Sequence, residues 1–580
     1  MRTRLQKMLV FLLLLLPIEA LSQALVVEDY YAAAGSGFGA GQYLNVAIAS
    51  DTSSAAFKAG TRVYVLHKNG VYAWNASLDF QAGSTVTLRA AYGEQGHYDP
   101  TIYYYPTATG GGAPPGQMTQ LSSNTTLRMT HLMISGYNEQ VDSLLKLANT
   151  AGLRTLSTSS NTRIYIDSCI WKTVAGQIIR TEGPAAVIMV TNSIFADMGH
   201  PTSNFGAGKF IDARNVRIDT MIIQNCTFVN LYDRLIRHYQ ASSANSIRNL
   251  VFDHNTVLND FAYHGFLSLG TVDTSGSGTL QITNNLLIDH FALGMDTAAV
   301  RQVEFSDPAE NDPVNSLPRM AWVLINKNNS AQWNIQKNYF ASSDSGKAIL
   351  ALGPPNDTIY AGPFYHKQGP PYLTWNMNKV LASQGKDTVN TFTTVNVIKP
   401  TKAPALPSAF LRWVLNKKMD NKNKPTLNVS PIWNWSLDFD RHRLEYYFDT
   451  LNCSYTASID LGHAATDGSQ IGSKQWAFKG VVSNVENIGT EVPRHFALDQ
   501  NFPNPFNPST TLQYSITTSS HVVLEVFNVL GQSVARLVDE RLAPGIYRTI
   551  LDASHMSSGV YLYRLKAGDF VQTKRMVLMK

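Results

Sequence analysis

Seven charged or ionisable side chains in the middle of the chain could act together on an anionic substrate. The set consists of Arg180, Lys209, Asp212, Arg214, Arg234, Arg237 and His238. Three of them end segments of equal length, GQIIR, GKFID and DRLIR. Guanidinium groups bind carboxylates bidentately, and ammonium groups bind them as point charges. The set therefore predicts a surface that holds an acidic polysaccharide, such as a chain of uronate sugars.

Elimination on a uronate begins when a base removes the proton alpha to the carboxylate. Lysine, arginine and histidine can serve as this base where neighbouring cations depress their pKa. Lys209 fits that role if Arg234 lies on the next turn of the chain. His238 is the alternative base, and Arg237 is grouped with these two as catalytic. Substrate binding is assigned to the others, Arg180, Asp212, Arg214 and Arg234.

Two other interpretations compete with elimination. Asp212 could simply neutralise two arginines in a surface charge ladder, in which each cross-strand pair contributes about 1 kcal/mol or less. Hydrolysis would need two carboxylates that face one sugar, about 5 Å apart for retention and about 6.5 to 9.5 Å apart for inversion. Asp212 is the one carboxylate among the aligned residues, with Asp233 at the start of the next segment. Hydrolysis is therefore the weaker enzymatic option.

These residues can share a face only if the segments that carry them are stacked, and an internal repeat predicts such stacking. Six stretches align on a central pair, and a weaker copy precedes them at His131-Leu132. The six pairs are Ser168-Cys169, Asn192-Ser193, Asn225-Cys226, His254-Asn255, Asn284-Asn285 and Lys337-Asn338. A bulky apolar residue follows each pair by two positions: Trp171, Phe195, Phe228, Val257, Leu287 and Phe340. An uneven period of this size, with β-branched and aromatic segments, favours a parallel β-helix over a helical repeat.

The asparagines of the repeat are expected to be structural. Asparagine tolerates a left-handed backbone at a turn, and its amide can bond the asparagine of the next coil. Cys169 and Cys226 share a column two coils apart, about 10 Å at the spacing of stacked strands. A disulfide requires a Cα separation of about 7 Å or less, so buried free thiols are expected. The long interval from Asn285 to Asn338 is one coil with an insert or two coils, one of them degenerate.

The repeat pattern resembles that of the pectate-lyase-like right-handed β-helix superfamily. YLNVAIAS at 43–50 is similar to the helix that caps such solenoids, and the segment from 60 to 93 is similar to their first coil. AATDGSQIGSKQW, ending at Trp476, is similar to the end of secreted bacterial β-helix proteins. The resemblance implies a β-helix domain with an N-terminal cap and inserts at 24–480. It carries no catalytic motif of that superfamily.

The first residues predict export. Basic residues precede an apolar run from Met8 to Leu16, and small residues follow it at Ala20, Ser22 and Ala24. This order is typical of a secretory signal peptide, here 1–23, and the run is too short to span a bilayer. The net charge of +5 and the lack of a basic block argue against a nucleic-acid partner.

The last part of the chain resembles the type A carboxyl-terminal sorting domain of the type IX secretion system. Short strands separated by glycine and proline turns predict a small immunoglobulin-like β-sandwich at 496–580. The matching positions are Gln500, Asn501, Pro503, Asn504, Pro505, Phe506, Asn507, Pro508, Gly531, Gly545, Ser558, Gly559, Tyr561, Lys574, Arg575 and Lys580. The resemblance implies passage across the outer membrane by the type IX machinery, followed by release or retention at the cell surface. Residues 481–495 are expected to form the linker.

The sequence thus predicts an all-β, secreted or cell-surface monomer with no transmembrane segment in the mature chain. The expected function is to act on or bind extracellular polysaccharide, as a lyase of anionic glycans or, alternatively, as a non-catalytic glycan-binding or adhesion protein. No cofactor is assigned, and Ca²⁺ is the candidate metal. The acidic residues of EFSDPAENDP, Glu304, Asp307, Glu310 and Asp312, are hard oxygen ligands suited to Ca²⁺, without any calcium-loop spacing.

Overall fold

The fold is known from a computed structural model of the chain. The residues it describes are 24–94, 99–104, 117–136, 151–172, 174, 176–198, 208–231, 234–239, 245–260, 267–269, 278–290, 321–323, 332–343, 373, 380–395, 398–402, 451–481, 486–489, 493, 495–553 and 556–579. The predicted signal peptide and the acidic segment at 304–312 lie outside these residues.

Three parallel sheets form the N-terminal domain, and successive coils add strands to each of them. Sheet 1 contains β1 (Ala24–Val27), β2 (Val63–Leu66), β5 (Thr85–Ala90), β8 (Thr126–Thr130), β11 (Thr162–Asp167), β14 (Ala185–Thr191), β17 (Ile218–Gln224), β20 (Ile247–Asp253), β23 (Thr279–Thr283) and β26 (Gln332–Gln336). Sheet 2 contains β3 (Val71–Trp74), β6 (Thr101–Tyr104), β9 (Met133–Ser135), β12 (Ile170–Lys172), β15 (Ile194–Met198), β18 (Thr227–Leu231), β21 (Thr256–Asp260), β24 (Leu286–His290), β27 (Asn338–Ala341) and β28 (Phe392–Thr394). Sheet 3 contains β4 (Leu78–Phe80), β7 (Gln117–Leu121), β10 (Ala151–Thr155), β13 (Gln177–Thr181), β16 (Lys209–Arg214), β19 (Ile236–Tyr239), β22 (Leu267–Leu269) and β25 (Ala321–Val323). The predicted parallel β-helix is confirmed.

The register of the sheets follows the repeat. Phe195 of sheet 2 is opposite Phe228, and their rings stack with centroids 5.2 Å apart. Leu287 is directly opposite Phe340, so the interval between Asn285 and Asn338 is one coil with an insert. The inward-facing side chains of all three sheets form one continuous core. Each coil therefore depends on its neighbours to bury its apolar face.

The two members of each repeated pair have different structural roles. The first member has a left-handed backbone in every copy: His131, Ser168, Asn192, Asn225, His254, Asn284 and Lys337. The second member points inward, where the Asn255 amide donates to Asn285 Oδ1 at 3.1 Å and the Asn285 amide donates to Asn338 Oδ1 at 2.8 Å. Asn255, Asn285 and Asn338 are completely buried. The predicted structural role is confirmed, and the amide ladder turns the chain between sheets 1 and 2.

The N-terminal end of the core is capped by α1 (Leu44–Asp51) and α2 (Ala55–Lys58). Leu44 and Ile48 of α1 are buried against the first coil, as the capping-helix prediction requires. Asp51 at the end of α1 accepts a hydrogen bond from Arg62 Nε at 2.6 Å, which ties the cap to the chain just before β2.

A strap, defined as residues 451–481, covers the outer face of sheet 2. It contains β30 (Asn452–Ala457) and β31 (Phe478–Val481), which form a small sheet with β29 (Ile398–Lys402). Apolar side chains of the strap and of sheet 2 form a second core, which includes Ile194, Val229, Leu286, Tyr455, Leu461, Ile471 and Trp476. Trp476 Nε1 donates to Thr227 Oγ1 at 2.7 Å, and Lys474 N donates to Asn225 Oδ1. The AATDGSQIGSKQW motif thus fastens the strap to the asparagine turns.

The C-terminal domain has two four-stranded antiparallel sheets. Sheet 4 contains β32 (Glu486–Gly489), β33 (Ala497–Leu498), β34 (Ser509–Ile516) and β37 (Gly545–Asp552). Sheet 5 contains β35 (Ser520–Phe527), β36 (Ser533–Leu542), β38 (Gly559–Ala567) and β39 (Phe570–Leu578). Strand β32 lies within 481–495, the segment predicted to be a linker, and it pairs with β37. Part of that segment therefore belongs to the C-terminal sheet.

The asparagine- and proline-rich motif at 500–508 protects the edge strand β39. Asn504 Oδ1 accepts from Val577 N at 2.9 Å, and Gln500 Nε2 donates to Arg575 O at 2.7 Å. Phe506 is buried, and its backbone N donates to Val577 O at 3.0 Å. An exposed edge strand invites pairing with other chains, so side chains that occupy its polar groups keep the domain from aggregating.

Replacing Asn285 by alanine should destabilise the β-helix by about 1 to 3 kcal/mol, because buried partners on both neighbouring coils lose their hydrogen bonds. The measurement is the urea dependence of unfolding of the full chain. Asn334→Ala is the control, because Asn334 is half-buried on the outside of sheet 1, and it should cost less than about 0.5 kcal/mol. Equal effects of the two substitutions would contradict the ladder.

Gly472→Ala should loosen the strap. Gly472 has a φ of 77°, and a Cβ there would lie 2.7 Å from Thr256 Oγ1 and 3.0 Å from Leu286 Cβ. Gly468→Ala is the matched control, because Gly468 has a φ of 79° and open space around it. Both variants carry left-handed strain of about 1 to 2 kcal/mol, whereas Gly472→Ala adds overpacking of similar size. Limited proteolysis should cut the strap faster in Gly472→Ala, and equal rates would argue against tight docking at this point.

Candidate functional site

Six of the seven predicted residues lie on three consecutive strands of sheet 3, and the seventh lies just before the third strand. Arg180 of β13 is opposite Asp212 of β16, and Asp212 is opposite Arg237 of β19. Lys209 is opposite Gln177 in the parallel column. Arg214 lies on β16, His238 lies on β19, and Arg234 lies just before β19. The predicted alignment on consecutive coils is confirmed, and the catalytic and binding roles of these residues stay predictions.

Asp212 is held between two arginines. Arg237 Nε lies 2.6 Å from Asp212 Oδ1, and Arg214 Nε lies 3.1 Å from Asp212 Oδ2. Arg180, although it is in register with Asp212, donates from Nε to Glu182 Oε1 at 2.8 Å. Asp212 thus pairs with one arginine on its own strand, β16, and with one on the adjacent strand, β19. Arg180 pairs with a different carboxylate.

That other carboxylate, Glu182, was missed from the sequence, as was its second partner, Arg154. Arg154 is opposite Arg180 and bonds Glu182 Oε2 through Nη2 at 2.5 Å. The sequence did contain a sign of Arg154, because AGLRT at 151–155 matches QIIRT at 177–181 in length and in its Arg-Thr ending. Glu182 therefore stands to Arg154 and Arg180 as Asp212 stands to Arg214 and Arg237.

Burial divides the site into an inner and an outer part. Lys209 and Asp212 are completely buried, and Arg234, Arg237 and His238 are no more than 6% exposed. Arg180 and Arg214, by contrast, expose 30% and 32% of their side chains. The predicted surface charge ladder needs correction at Asp212, because this carboxylate lies inside the protein. The outer arginines are the residues that a large solute can reach.

The charge of Asp212 is set by opposing effects. Burial alone would raise the pKa of this carboxyl, but the attraction of Arg237, Lys209 and Arg214 outweighs it and lowers the pKa to about 2. Burial also lowers the pKa of the Arg214 guanidinium, and Asp212 partly offsets that effect. His238 Nε2 lies 3.0 Å from the carbonyl oxygen of Val216, an acceptor, so this nitrogen carries a proton.

A second buried pair of titratable side chains, also missed from the sequence, lies at the C-terminal ends of two strands of sheet 2, β21 and β24. His290 Nδ1 is 2.8 Å from Asp260 Oδ2, and both side chains are fully buried. Asp260 is opposite Leu231, three residues before Arg234, so the pair lies along the edge at which the chain passes from sheet 2 to sheet 3. Aligning NDF at 259–261 with DHF at 289–291 would have placed Asp260 and His290 in one column. Titratable groups are costly to bury, and their concentration at one edge is typical of a functional site.

A serine, a histidine and an aspartate also meet where the strap contacts the turn between sheets 1 and 2. His254 Nδ1 is 2.8 Å from Asp253 Oδ2, and His254 Nε2 is 3.0 Å from Ser469 Oγ. The Ser469 hydroxyl, however, donates to Asp467 Oδ1 at 2.6 Å. Asp467 in turn accepts from Lys474 Nζ at 2.9 Å. Because the hydroxyl proton goes to a carboxylate, these residues hold the strap in place and do not form a nucleophile with its base.

All three cysteines are free and buried, as predicted for Cys169 and Cys226. Burial raises the pKa of the Cys226 thiol to about 12, so it is an inert core residue. In the described parts of the chain, no three His, Cys, Asp or Glu side chains are grouped to hold a metal ion. The helices of those same parts are too short or too polar to cross a bilayer.

The family model of the secretion system C-terminal sorting domain matches residues 500–579. No curated protein and no solved structure matches the chain. The match places the sorting function in the C-terminal β-sandwich, and the protein is exported by the type IX secretion system to the cell surface or the extracellular space. The β-helix lies outside the matched residues.

Replacing Asp212 by asparagine should destabilise the protein by about 3 to 5 kcal/mol, because the buried Arg237 loses its counter-charge. Asp219→Asn on β17, the next strand along the chain, is the control. Asp219 pairs with Arg217 at 2.6 Å but is 42% exposed, so its loss should cost less than about 1 kcal/mol. Urea unfolding of the two variants provides the comparison, and equal losses would show that Asp212 is not essential to the cluster.

Acid should weaken the same interaction. The folded pKa of Asp212, about 2, lies below its ordinary value of 3.8. The carboxylate therefore contributes about 2 kcal/mol above pH 4, and this contribution is lost as the pH falls from about 4 to about 2. Unfolding free energies measured across this range should fall more steeply in the wild type than in Asp212→Asn. If the unfolding free energies of the two proteins changed in parallel with pH, the lowered pKa of Asp212 would be contradicted.

Proposed function

We propose that this exported protein binds anionic extracellular polysaccharide along the outer face of sheet 3. The supporting observation is the row of half-exposed arginines, Arg154, Arg180 and Arg214, on three consecutive coils. Each of them already holds a carboxylate of the protein in an ion pair. A uronate carboxylate or a sulfate ester of a glycan offers the same acceptor oxygens.

The charge balance of this face favours an anionic ligand. Among the described residues the face carries six cations and three carboxylates, Asp79, Glu182 and Asp212. The six cations are Arg154, Arg180, Lys209, Arg214, Arg234 and Arg237. The inner cations strengthen the field at the surface because they lie in a medium of low polarity. A neutral glycan would gain nothing from this excess.

The geometry of the sheet suits a polymer. Parallel strands place equivalent side chains about 4.8 Å apart along the solenoid axis. This distance is comparable to the length of one sugar unit, so an extended chain can present successive anionic groups to successive coils. Several weak charge-assisted contacts then add up to useful affinity, since each is held in place by the fold.

Elimination is the second candidate, and Lys209 is the observation that favours it. Lys209 lies three residues from Asp212 on β16 and is one of the cations that lower the pKa of that carboxyl. A catalytic base, however, must come within hydrogen-bond reach of the substrate proton. Lys209 is completely buried, so binding without chemistry is the better-supported function.

The test is titration calorimetry of the purified full chain with polygalacturonate, alginate and a sulfated glycosaminoglycan, with dextran as the neutral glycan. Binding is expected to the acidic polymers, and it should weaken as salt screens the charges. The double variant Arg180→Gln/Arg214→Gln should lose about tenfold or more in affinity.

Arg163→Gln is the matched control. Arg163 is half-buried on β11 of sheet 1, away from the proposed face, and its loss should leave the affinity unchanged. Binding that survives the double variant, or that fails equally in the control, would refute the proposed surface. The same incubations report elimination through ultraviolet absorbance of an unsaturated product. Absorbance that appears in the wild type and disappears in Lys209→Ala would assign catalysis to this face.

A further inference from the structure

The sorting domain exposes more apolar side chains than its small size explains. Of the fourteen large hydrophobic residues that are exposed in the described parts of the chain, nine lie between 502 and 579. These are Phe502, Val529, Leu530, Val534, Ile550, Val560, Leu562, Val571 and Met579. Single exposed apolar residues are ordinary on protein surfaces, whereas a contiguous group marks a place of interaction.

A contiguous group is found at one corner of sheet 5. Leu562 lies between Phe527 on one neighbouring strand and Arg575 on the other, and Val560 is opposite Val577. The hairpin that follows β35 begins directly after Phe527 and places Leu530 at its tip. We call this group the apolar corner, and it consists of Phe527, Val529, Leu530, Val560, Leu562 and Val577. Leu530 is 79% exposed and Leu562 is 38% exposed.

Positive charge borders the apolar corner. Arg575 is opposite Leu562 on the outer face of sheet 5. The Arg564 guanidinium lies 4.6 Å from the ring centre of Phe527 and 3.5 Å from Glu525. A surface that is apolar in its middle and basic at its rim fits a partner groove of apolar residues with an acidic rim.

The described side chains on the outer face of β34 and β37 in sheet 4 form no such group. Its cross-strand pairs mix polar and apolar side chains: Thr511 with Ile550, Gln513 with Arg548, and Ser515 with Ile546. No two apolar side chains of these pairs face each other. Ile550 is itself 49% exposed, so sheet 4 supplies an isolated apolar residue for comparison.

We propose that the apolar corner is the surface by which the sorting domain docks on the type IX secretion machinery. The partner is fixed by the position of the corner, because it lies on the domain whose sequence identifies it as the export signal. The chemistry of the partner's binding site follows from the apolar corner, which requires a groove of apolar residues bordered by carboxylates. This proposal is independent of what the β-helix binds.

The experiment follows export of the full chain in a bacterium that has a type IX secretion system. Leu562→Asp and Leu530→Asp place a carboxylate in the apolar corner, where it meets an apolar and acidic groove. Each should lower the exported fraction about tenfold and accumulate protein in the periplasm. Ile550→Asp, the same change at an exposed site on sheet 4, should be exported as the wild type is.

Protease resistance of each purified full-length variant checks the fold. If Leu562→Asp unfolds the domain, Leu530→Asp decides the question, because its side chain at the hairpin tip makes little contact with the core. Normal export of Leu530→Asp would overturn the proposal, and so would equal retention of Ile550→Asp. A further overturning result is a dimer of the purified chain that Leu530→Asp dissolves while export stays normal, since the corner would then bind a second copy.

Discussion

The stacking of each coil on the one before it is the constraint on which the rest of the structure depends. The backbone hydrogen bonds of three parallel sheets fix the register of the coils, and the buried asparagine ladder fixes where each coil turns. Asn285 illustrates how tightly the two are linked, since its amide bonds the next coil and the carbonyl of Phe252 on the preceding one. Slippage of one coil would leave several buried polar groups without partners, which costs far more than a surface rearrangement.

The same register explains how charged residues come to lie inside the protein. Arg180, Asp212 and Arg237 are far apart in sequence but are neighbours in sheet 3. Once Asp212 is buried, its two arginines have to stay, because an isolated buried carboxylate is much more expensive than a paired one. The cationic face is thus a product of the stacking. The strap seals sheet 2 on its outer side, and the half-exposed arginines of sheet 3 belong to a different face.

The two domains meet the problem of strand edges in different ways. The β-helix covers its N-terminal end with α1 and α2, which pack on the first coil. The sorting domain protects β39 with the side chains of its own N-terminal motif, so that Gln500 and Asn504 occupy polar groups that would otherwise be free to pair. This explains why the motif is rich in asparagine and proline. Asparagine side chains form hydrogen bonds with the backbone of the edge strand, and proline lacks the N–H needed to extend the sheet.

The sequence alone determined the class of the fold, because a repeated pattern of apolar residues can be satisfied only by stacking, whatever the details of the turns. It also determined the sorting domain, the capping helix and the alignment of Arg180, Asp212 and Arg237. Burial was decided by the tertiary structure, since a column shows which residues are neighbours but not how deep they lie. Asp212 and Lys209 read as surface residues and are inside. The tertiary structure also decided which side chains pair. Arg180 bonds Glu182 and not Asp212, because the distance between side chains on adjacent strands cannot be obtained from residue spacing in the sequence.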